Sequence, residues 1–273
     1  MVVCHPQMAR TSSRQHILPI AIIALVITAL SVVVALTIDW LPVPASKEAD
    51  RVDLLVWWTV WVSIGIFAIV QAFMFYSVWK FRAKPGDESD GPPIHGHTML
   101  EVVWTLIPTV LIGITAAWAA IVLIKNEDIA KAGPAPLVVE VLAQQFTWEF
   151  TYPDLGVTTG DLRVPAGRQV VLDLHAKDVI HSFFVYETRI KGDAVPGIVN
   201  DRVRFTMKPE YAGKTYPIVC AELCGAGHGV MRAQLITLSA GDYDAWAQKA
   251  KATAAVLKAS SPPPTATTPT TTP

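Results

Sequence analysis

Between positions 220 and 231 the chain runs Cys220-Ala221-Glu222-Leu223-Cys224-Gly225-Ala226-Gly227-His228-Gly229-Val230-Met231, so two thiols, an imidazole and a thioether share one short segment. Thiolate, thioether and imidazole donors select copper over hard cations, and one Cys, two His and a weak Met make the blue-copper set. The second imidazole must come from elsewhere. His181, in Asp178-Val179-Ile180-His181-Ser182-Phe183-Phe184, is the best candidate, because an upstream strand can lie beside the ligand loop. One cysteine is enough for a mononuclear site. The additional one permits two thiolates to bridge two metals, each then taking one histidine, with Met231 and a backbone carbonyl as weak outer ligands. Glycines at 225, 227 and 229 let the backbone wrap closely around something small. Three other readings compete. A Cys220 to Cys224 disulfide suits an extracytoplasmic domain. A structural zinc site uses Cys and His, but has no use for Met231 and prefers other spacings. His228 as an ordinary surface histidine is the third. The third cysteine, Cys4, lies far away, and three are too few for a disulfide scaffold.

The elements that must carry this segment divide the chain into unlike parts. Of its 273 residues 52% are hydrophobic and 16% charged, and the mean hydropathy is +0.38; soluble domains carry roughly 25% charged residues. The apolar excess sits in three stretches, Ile17 to Ile38, Leu54 to Trp79 and Met99 to Ile124. Each exceeds the ~20 residues needed to cross a bilayer. The first two hold no Asp, Glu, Lys or Arg, and the third only Glu101. Arg10 and Arg14 precede the first span, while Lys80, Arg82 and Lys84 follow the second, and cationic loops stay cytoplasmic. The N-terminus is then inside and everything after Lys125 outside. Trp40, Trp57 and Trp58 near outer ends, and Trp79 and Trp104 near inner ones, agree with an interfacial belt, although tryptophans also fill helix contacts. The first span has a second reading. A basic start, an apolar run and Val43-Pro44-Ala45 before Ser46 resemble a secretory signal with a small-residue cleavage site, yet the run is longer than the ~7–15 residues of a signal core. A retained helix is favoured.

Beyond Lys125 the periodicity changes. Leu142, Phe146, Trp148, Phe150 and Tyr152 alternate with polar or small residues as in a half-buried strand. Leu137, Val139 and Val141 hold the opposite parity, and a bulge near Ala143 or Gln144 reconciles the two phases. Further strands are expected at Gln169 to Leu174, Val179 to Val185, Val203 to Met207, Tyr216 to Val219 and Met231 to Leu238. Short strands with Gly and Pro punctuation indicate an antiparallel sandwich or barrel. Asp242 to Lys258 reads as a short Ala- and Lys-rich helix, and the Ser, Pro, Thr and Ala tail after it cannot bury enough apolar surface to order itself. The net charge of -1 gives no basic excess to hold a phosphate backbone, which argues against nucleic acid as a partner. Basic and acidic residues nearly balance after Lys125, so an acidic docking patch can arise only locally; Asp154, Asp161, Asp173 and Asp178 are its candidates.

At the metal-binding segment the chain resembles subunit II of the haem-copper cytochrome c oxidases, whose cupredoxin domain carries the dinuclear CuA centre. The match to Cys-x-Glu-x-Cys-x-x-x-His-x-x-Met is complete. The resemblance extends over about Ser46 to Leu238 and includes Leu100-Glu101-Val102-Val103-Trp104-Thr105-Leu106-Ile107-Pro108, Asp178-Val179-Ile180-His181-Ser182 and Lys191-Gly192-Asp193-Ala194-Val195-Pro196-Gly197. It implies a membrane-anchored all-β protein, with two or three N-terminal transmembrane helices followed by a cupredoxin-like Greek-key barrel or sandwich. The divisions are 1–45 (hydrophobic segment, helix or signal), 46–125 (helical hairpin), 126–240 (CuA domain) and 241–273 (short helix and disordered Pro/Thr-rich tail).

Residue by residue, the resemblance implies that Cys220 and Cys224 bridge two copper ions and that His181 and His228 each ligate one. Met231 is then a weak ligand on one copper and the Glu222 carbonyl on the other. The Glu222 side chain is implied to reach a magnesium site at the interface with subunit I; the plainer reading is a solvent-facing loop carboxylate. Glu101 matches the glutamate at the cytoplasmic mouth of a proton path into subunit I, although by chemistry alone it is an interfacial charge at a helix start. Two departures stand out. The family's usual Gln-Trp-x-Trp, whose first Trp receives electrons from cytochrome c, is here Gln145-Phe146-Thr147-Trp148, leaving Phe146 and Trp148 as candidates. Ile198 follows Pro196-Gly197 where an arginine is common.

The implied function is the electron-receiving subunit of a respiratory cytochrome c oxidase. Electrons pass from cytochrome c through CuA to haem in subunit I, where oxygen is reduced to water with proton translocation. Its implied partners are subunits I and III, cytochrome c and the lipid bilayer. Its place is the bacterial plasma membrane, multi-pass, with the copper domain outside. A quinol oxidase subunit lacks the copper ligands present here. A membrane-anchored copper-delivery protein has no need of Glu101, and nitrous-oxide reductase is expected to carry a large further domain. There is no Cys-x-x-Cys-His haem attachment motif.

Overall fold

The computed structural model describes residues 14–83, 85–86, 95–128 and 134–260. Cys4, Arg10, Lys84 and the Pro/Thr-rich tail of 261–273 lie outside the described residues. The chain forms two units, residues 1–41 with 53–120, and residues 42–52 with 121–273.

The first unit is built on three helices, α1 (Arg14–Thr37), α2 (Lys47–Lys80) and α3 (Thr98–Glu127), matching the three apolar stretches to within a few residues at most ends. All three are long and apolar enough to cross a membrane. Their side chains stay largely exposed, as lipid-facing surfaces do, and only a helix can hide its own backbone polar groups in hydrocarbon. Inside α3 the hydroxyls of Thr105, Thr109 and Thr115 donate to carbonyls one turn back, so these polar groups are satisfied without water. Helices α2 and α3 meet where Trp58 Nε1 donates to Thr115 Oγ1 at 3.2 Å and the ring stands 6.0 Å from Trp118. Trp58 is therefore a helix contact, while Trp40, Trp79 and Trp104 are exposed as a belt requires. Helix α1 docks on α2 through His16, hydrogen-bonded to the buried Tyr76 hydroxyl.

The second unit is a two-sheet sandwich followed by a helix. Its strands are β1 (Leu137–Gln144), β2 (Thr147–Tyr152), β3 (Val157–Thr159), β4 (Leu162–Pro165), β5 (Gln169–Ala176), β6 (His181–Val185), β7 (Ile190–Ala194), β8 (Asn200–Thr206), β9 (Thr215–Cys220) and β10 (Arg232–Leu238); α4 (Ala240–Ser260) closes the order. One sheet runs β3-β2-β1-β5-β8 and the other β4-β10-β9-β6-β7. Most neighbours are antiparallel, but β1 pairs parallel with β5 and β4 with β10. The inward faces interdigitate around Trp148, Phe150, Leu172, Phe183, Phe205 and Leu235, each fully buried. Helix α4 covers one end, with the Trp246 ring edge-on to Tyr152, their centroids 5.1 Å apart.

One expectation changes here, and a second feature gains a structural setting. The phase shift expected as a bulge near Ala143 or Gln144 is a chain reversal: β1 and β2 are an antiparallel hairpin, Gln144 opposite Thr147. Leu137, Val139, Val141 and Ala143 face the core from β1, and Trp148, Phe150 and Tyr152 from β2. Reversal swaps the inward parity, so Leu142 turns outward and Phe146 falls in the turn. The second concerns the cleavage motif. Ala45 and Ser46 are fully buried. The Ala45 N–H donates to the Glu187 carbonyl at 2.8 Å, the Ala45 carbonyl accepts from the Lys208 N–H at 2.9 Å, and Ser46 Oγ both donates to the Thr188 carbonyl and caps α2 at the Ala49 N–H. The small residues of the cleavage-like motif are thus buried and hydrogen-bonded within the second unit.

Candidate metal centre

Strands β9 and β6 are neighbours, with Phe183 opposite Cys220. This register sets His181, at the start of β6, beside the end of β9, as expected of an upstream strand. Past Cys220 the chain leaves the sheet, loops through Cys224, makes a 3-10 turn at His228–Val230 and returns as β10. The loop folds its donors inward, except that His228 is only half-buried. His181 and Met231 are wholly buried, Cys224 is 3% and Cys220 7% exposed.

The donor atoms form a chain of near contacts. The two sulfurs stand 3.9 Å apart, unbonded, which removes the disulfide reading. His181 Nδ1 lies 3.9 Å from Cys220 Sγ, and the Glu222 carbonyl oxygen 3.2 Å from the same sulfur. On the other side His228 Nδ1 lies 3.7 Å and Met231 Sδ 3.8 Å from Cys224 Sγ. The donor atoms of His181, Cys220 and Cys224 all fall within 4.8 Å of one another. Metal to thiolate bonds run about 2.3 Å, so one ion can touch both sulfurs at this spacing. Each sulfur has one imidazole and one weak neutral donor beside it. That set fits a soft metal and is poorly suited to magnesium or calcium. Without a cation, burial and the neighbouring Cys220 push the Cys224 thiol up to about 11; an ion is the natural counter-charge for two buried thiolates.

The His181 nitrogen that faces away from the sulfurs is also engaged. His181 Nε2 is 2.8 Å from Asp178 Oδ1, which fixes the ring so that Nδ1 faces the thiols. Asp178 accepts from the Gln145 and Val179 backbone N–H groups at 2.8 and 2.7 Å. These bonds, the Gln145 one foremost, hold its carboxyl down at about 2. Asp178, expected as a docking charge, is thus committed to the centre, whereas Asp154 lies in the β2–β3 turn at the other end of β2. The Gln145 side-chain amide donates to the Cys224 carbonyl at 2.5 Å. Gln145 and Asp178 are the residues bonded to the cluster that donor chemistry alone overlooks.

Phe146 and Trp148 separate cleanly. Trp148 is 1% exposed, its ring 6.3 Å from that of His181 and 5.9 Å from Phe183. Phe146 is 37% exposed and lies on the ligand loop: a Cβ on Gly225 would meet its ring at 3.4 Å, and one on Gly227 at 2.4 Å. Glycines 225 and 227 thus admit the Gln145-Phe146 turn, while Gly229 has open space around it. Glu222 is exposed. Glu101 is exposed and caps α3, its Oε1 accepting the His97 N–H at 3.2 Å.

A family model described as "Cytochrome C oxidase subunit II, transmembrane domain" matches residues 33–121, and one described as "Cytochrome C oxidase subunit II, periplasmic domain" matches residues 157–237. The chain belongs to the cytochrome c oxidase subunit II family. Cytochrome c oxidase subunit 2 of Synechocystis sp. is 31% identical, over 82% of this chain and 80% of that one. The Thermostichus vulcanus protein of the same name is 33% identical, over 78% and 79%. Among solved structures, the periplasmic domain of subunit II of the Bradyrhizobium japonicum oxidase aligns at 22% identity and a TM-score of 0.40, covering 44% of this chain and 97% of that one. As a subunit II, the chain is a membrane-anchored component of a cytochrome c oxidase, an oxidoreductase complex in which it works with other subunits. The family model for the membrane part begins at residue 33, so most of α1 lies outside it.

Proposed function

We propose that this chain receives electrons from cytochrome c at a dinuclear copper centre and passes them to haem in subunit I. The observation that carries the reading is the paired donor set: two buried thiols 3.9 Å apart, one flanked by His181 and the Glu222 carbonyl, the other by His228 and Met231. When bound, a copper pair sharing one electron takes up and releases charge with little change in bond length. The protein does the rest. Cys220 and Cys224 would hold the copper together with His181 and His228, and Met231 and the Glu222 carbonyl would act as weak donors that tune its potential. Strands β6, β9 and β10 hold these residues and burial excludes water, so the donors reorganise little when charge changes. Phe146, exposed over the ligand loop, is the point where electrons enter, and Trp148 lies buried behind His181.

Glu222 keeps its exposed carboxylate for magnesium at the interface with subunit I, and subunit III completes the assembly. Glu101 opens the proton path on the cytoplasmic side, and the copper domain faces outward from a bacterial plasma membrane. The first span stays attached. Cleavage after Ala45 would place a charged amine at the fully buried Ser46 and remove the Ala45 hydrogen bonds, both costly inside a protein.

The test mixes reduced cytochrome c with the oxidised, copper-loaded full-length chain and follows the cytochrome's oxidation in a stopped-flow instrument. Rapid oxidation that slows at high salt supports the reading. A chain that holds copper yet leaves the cytochrome reduced would contradict it.

A further inference from the structure

Gln145 sits in the β1–β2 turn of one sheet, whereas both metal-ligand segments belong to the other. It reaches each of them by a different group. Its backbone N–H donates to Asp178 Oδ2 at 2.8 Å, and Asp178 Oδ1 lies 2.8 Å from His181 Nε2. Its side-chain amide donates to the Cys224 carbonyl at 2.5 Å. The next residue, Phe146, covers Gly227. One turn therefore touches the Cys224 backbone and the carboxylate that orients His181, and carries the exposed aromatic ring.

We propose that Gln145 is a positioning residue of the copper centre, its side chain fixing the Cys224 segment against the turn that orients His181. The inference rests on the copper reading above. A bond to the carbonyl of a ligand residue restricts the peptide planes on either side, and so the direction from which the Cys224 sulfur approaches. The amide has one acceptor at this place, and a Cβ on the neighbouring Gly225 would come within 2.9 Å of Gln145 Nε2. The side chain is thus packed as well as bonded. Loss of an outer contact of this kind typically lowers metal affinity about 10–100-fold.

Two variants of the full-length chain isolate the side chain while leaving the backbone N–H in place. Gln145→Met keeps the volume and removes the donor; Gln145→Glu sets a carboxylate oxygen against the Cys224 carbonyl. Gln144→Met, which changes a turn residue bonded to Glu149 and Lys177 instead, is the control. After copper loading, metal content, the copper hyperfine pattern, the midpoint potential and the rate of copper loss to a chelator are measured. Both Gln145 variants are expected to bind wild-type amounts of copper, with altered hyperfine splitting, a shifted potential and copper loss about 10–100-fold faster; Gln144→Met is expected to match the wild type. Gln145 variants that match the wild type in all three properties would overturn the positioning role, even where the domain melts at a lower temperature. A wild-type chain that takes up no copper would instead overturn the copper reading on which the proposal rests.

Discussion

Phe146 covers Gly227 so closely that a Cβ built on the glycine would lie 2.4 Å from the ring's Cδ2. The ring lies over the ligand loop and the residue is 37% exposed, whereas the buried Trp148 reaches His181 only from inside. Replacing Phe146 with Leu keeps an apolar cover but removes the π-face. Oxidation of cytochrome c by the copper-loaded chain is expected to slow about tenfold or more, equivalent to ~1.4 kcal/mol or more in the barrier, with the copper spectrum unchanged. Gly227→Ala, which displaces the ring, should act in the same direction. Equal rates for wild type and Phe146→Leu in stopped-flow traces would move the point of transfer elsewhere.

Met231 is wholly buried, and its sulfur lies 3.8 Å from Cys224. Met231→Leu conserves volume, so the fold should lose less than about 1.5 kcal/mol. The variant loses a weak thioether donor that tunes the potential, and its midpoint potential is expected to shift with copper content intact. Spectroelectrochemical titration checks this; an unchanged potential would remove Met231 from the ligand set.

Asp193 supplies the pH dependence. Ser182 Oγ donates to its Oδ1 at 2.7 Å, Lys191 Nζ stands 3.3 Å away, and these contacts hold the carboxyl below its ordinary 3.8. Since the folded value lies below the unfolded one, the stabilisation is fully present above the ordinary carboxylate range and is lost as the pH falls through the folded value. Asp193→Asn should melt at a lower temperature than the wild type at neutral pH, and the two should converge in strong acid. Calorimetry across pH reads the difference directly, and parallel curves would contradict the assignment.

Ala45 and Ser46 lie inside the second unit, paired to Glu187, Thr188 and Lys208. Intact-mass measurement of the chain purified from membranes is expected to show a species that retains residues before Ser46. A mature chain starting at Ser46 would show that the first span is a cleaved signal.

Much of this was legible in advance, and the reasons differ from element to element. The helices declared themselves because hydrocarbon tolerates almost no charge, so composition marks most of their ends; α2 starts earlier, at Lys47, in a charged turn that composition excluded. The donors at 220, 222, 224, 228 and 231 share one short segment, and His181 follows from the need for a second imidazole. The hairpin at Gln144–Thr147 did not show: its turn carries no Gly, Pro, Asn or Asp, the residues that usually mark one, and a reversal and a bulge shift parity alike. Strand β7 was hidden because its inward Gly192 has no side chain; a Cβ there would come within 2.1 Å of Val203 Cγ2. The parallel pairings of β1 with β5 and β4 with β10 leave no local trace, since they join strands distant in sequence. Asp178 was visible only as a charge, because its role depends on that same unsignalled turn.

The account rests on two thiolates shared by two ions, and the most direct measurement is the electron paramagnetic resonance spectrum of the copper-loaded full-length chain. Hyperfine splitting from two equivalent copper nuclei is the predicted result, collapsing to a mononuclear pattern or vanishing when Cys220 or Cys224 is replaced by Ser. A mononuclear signal from the wild-type chain, or none in its oxidised, copper-loaded state, would contradict it.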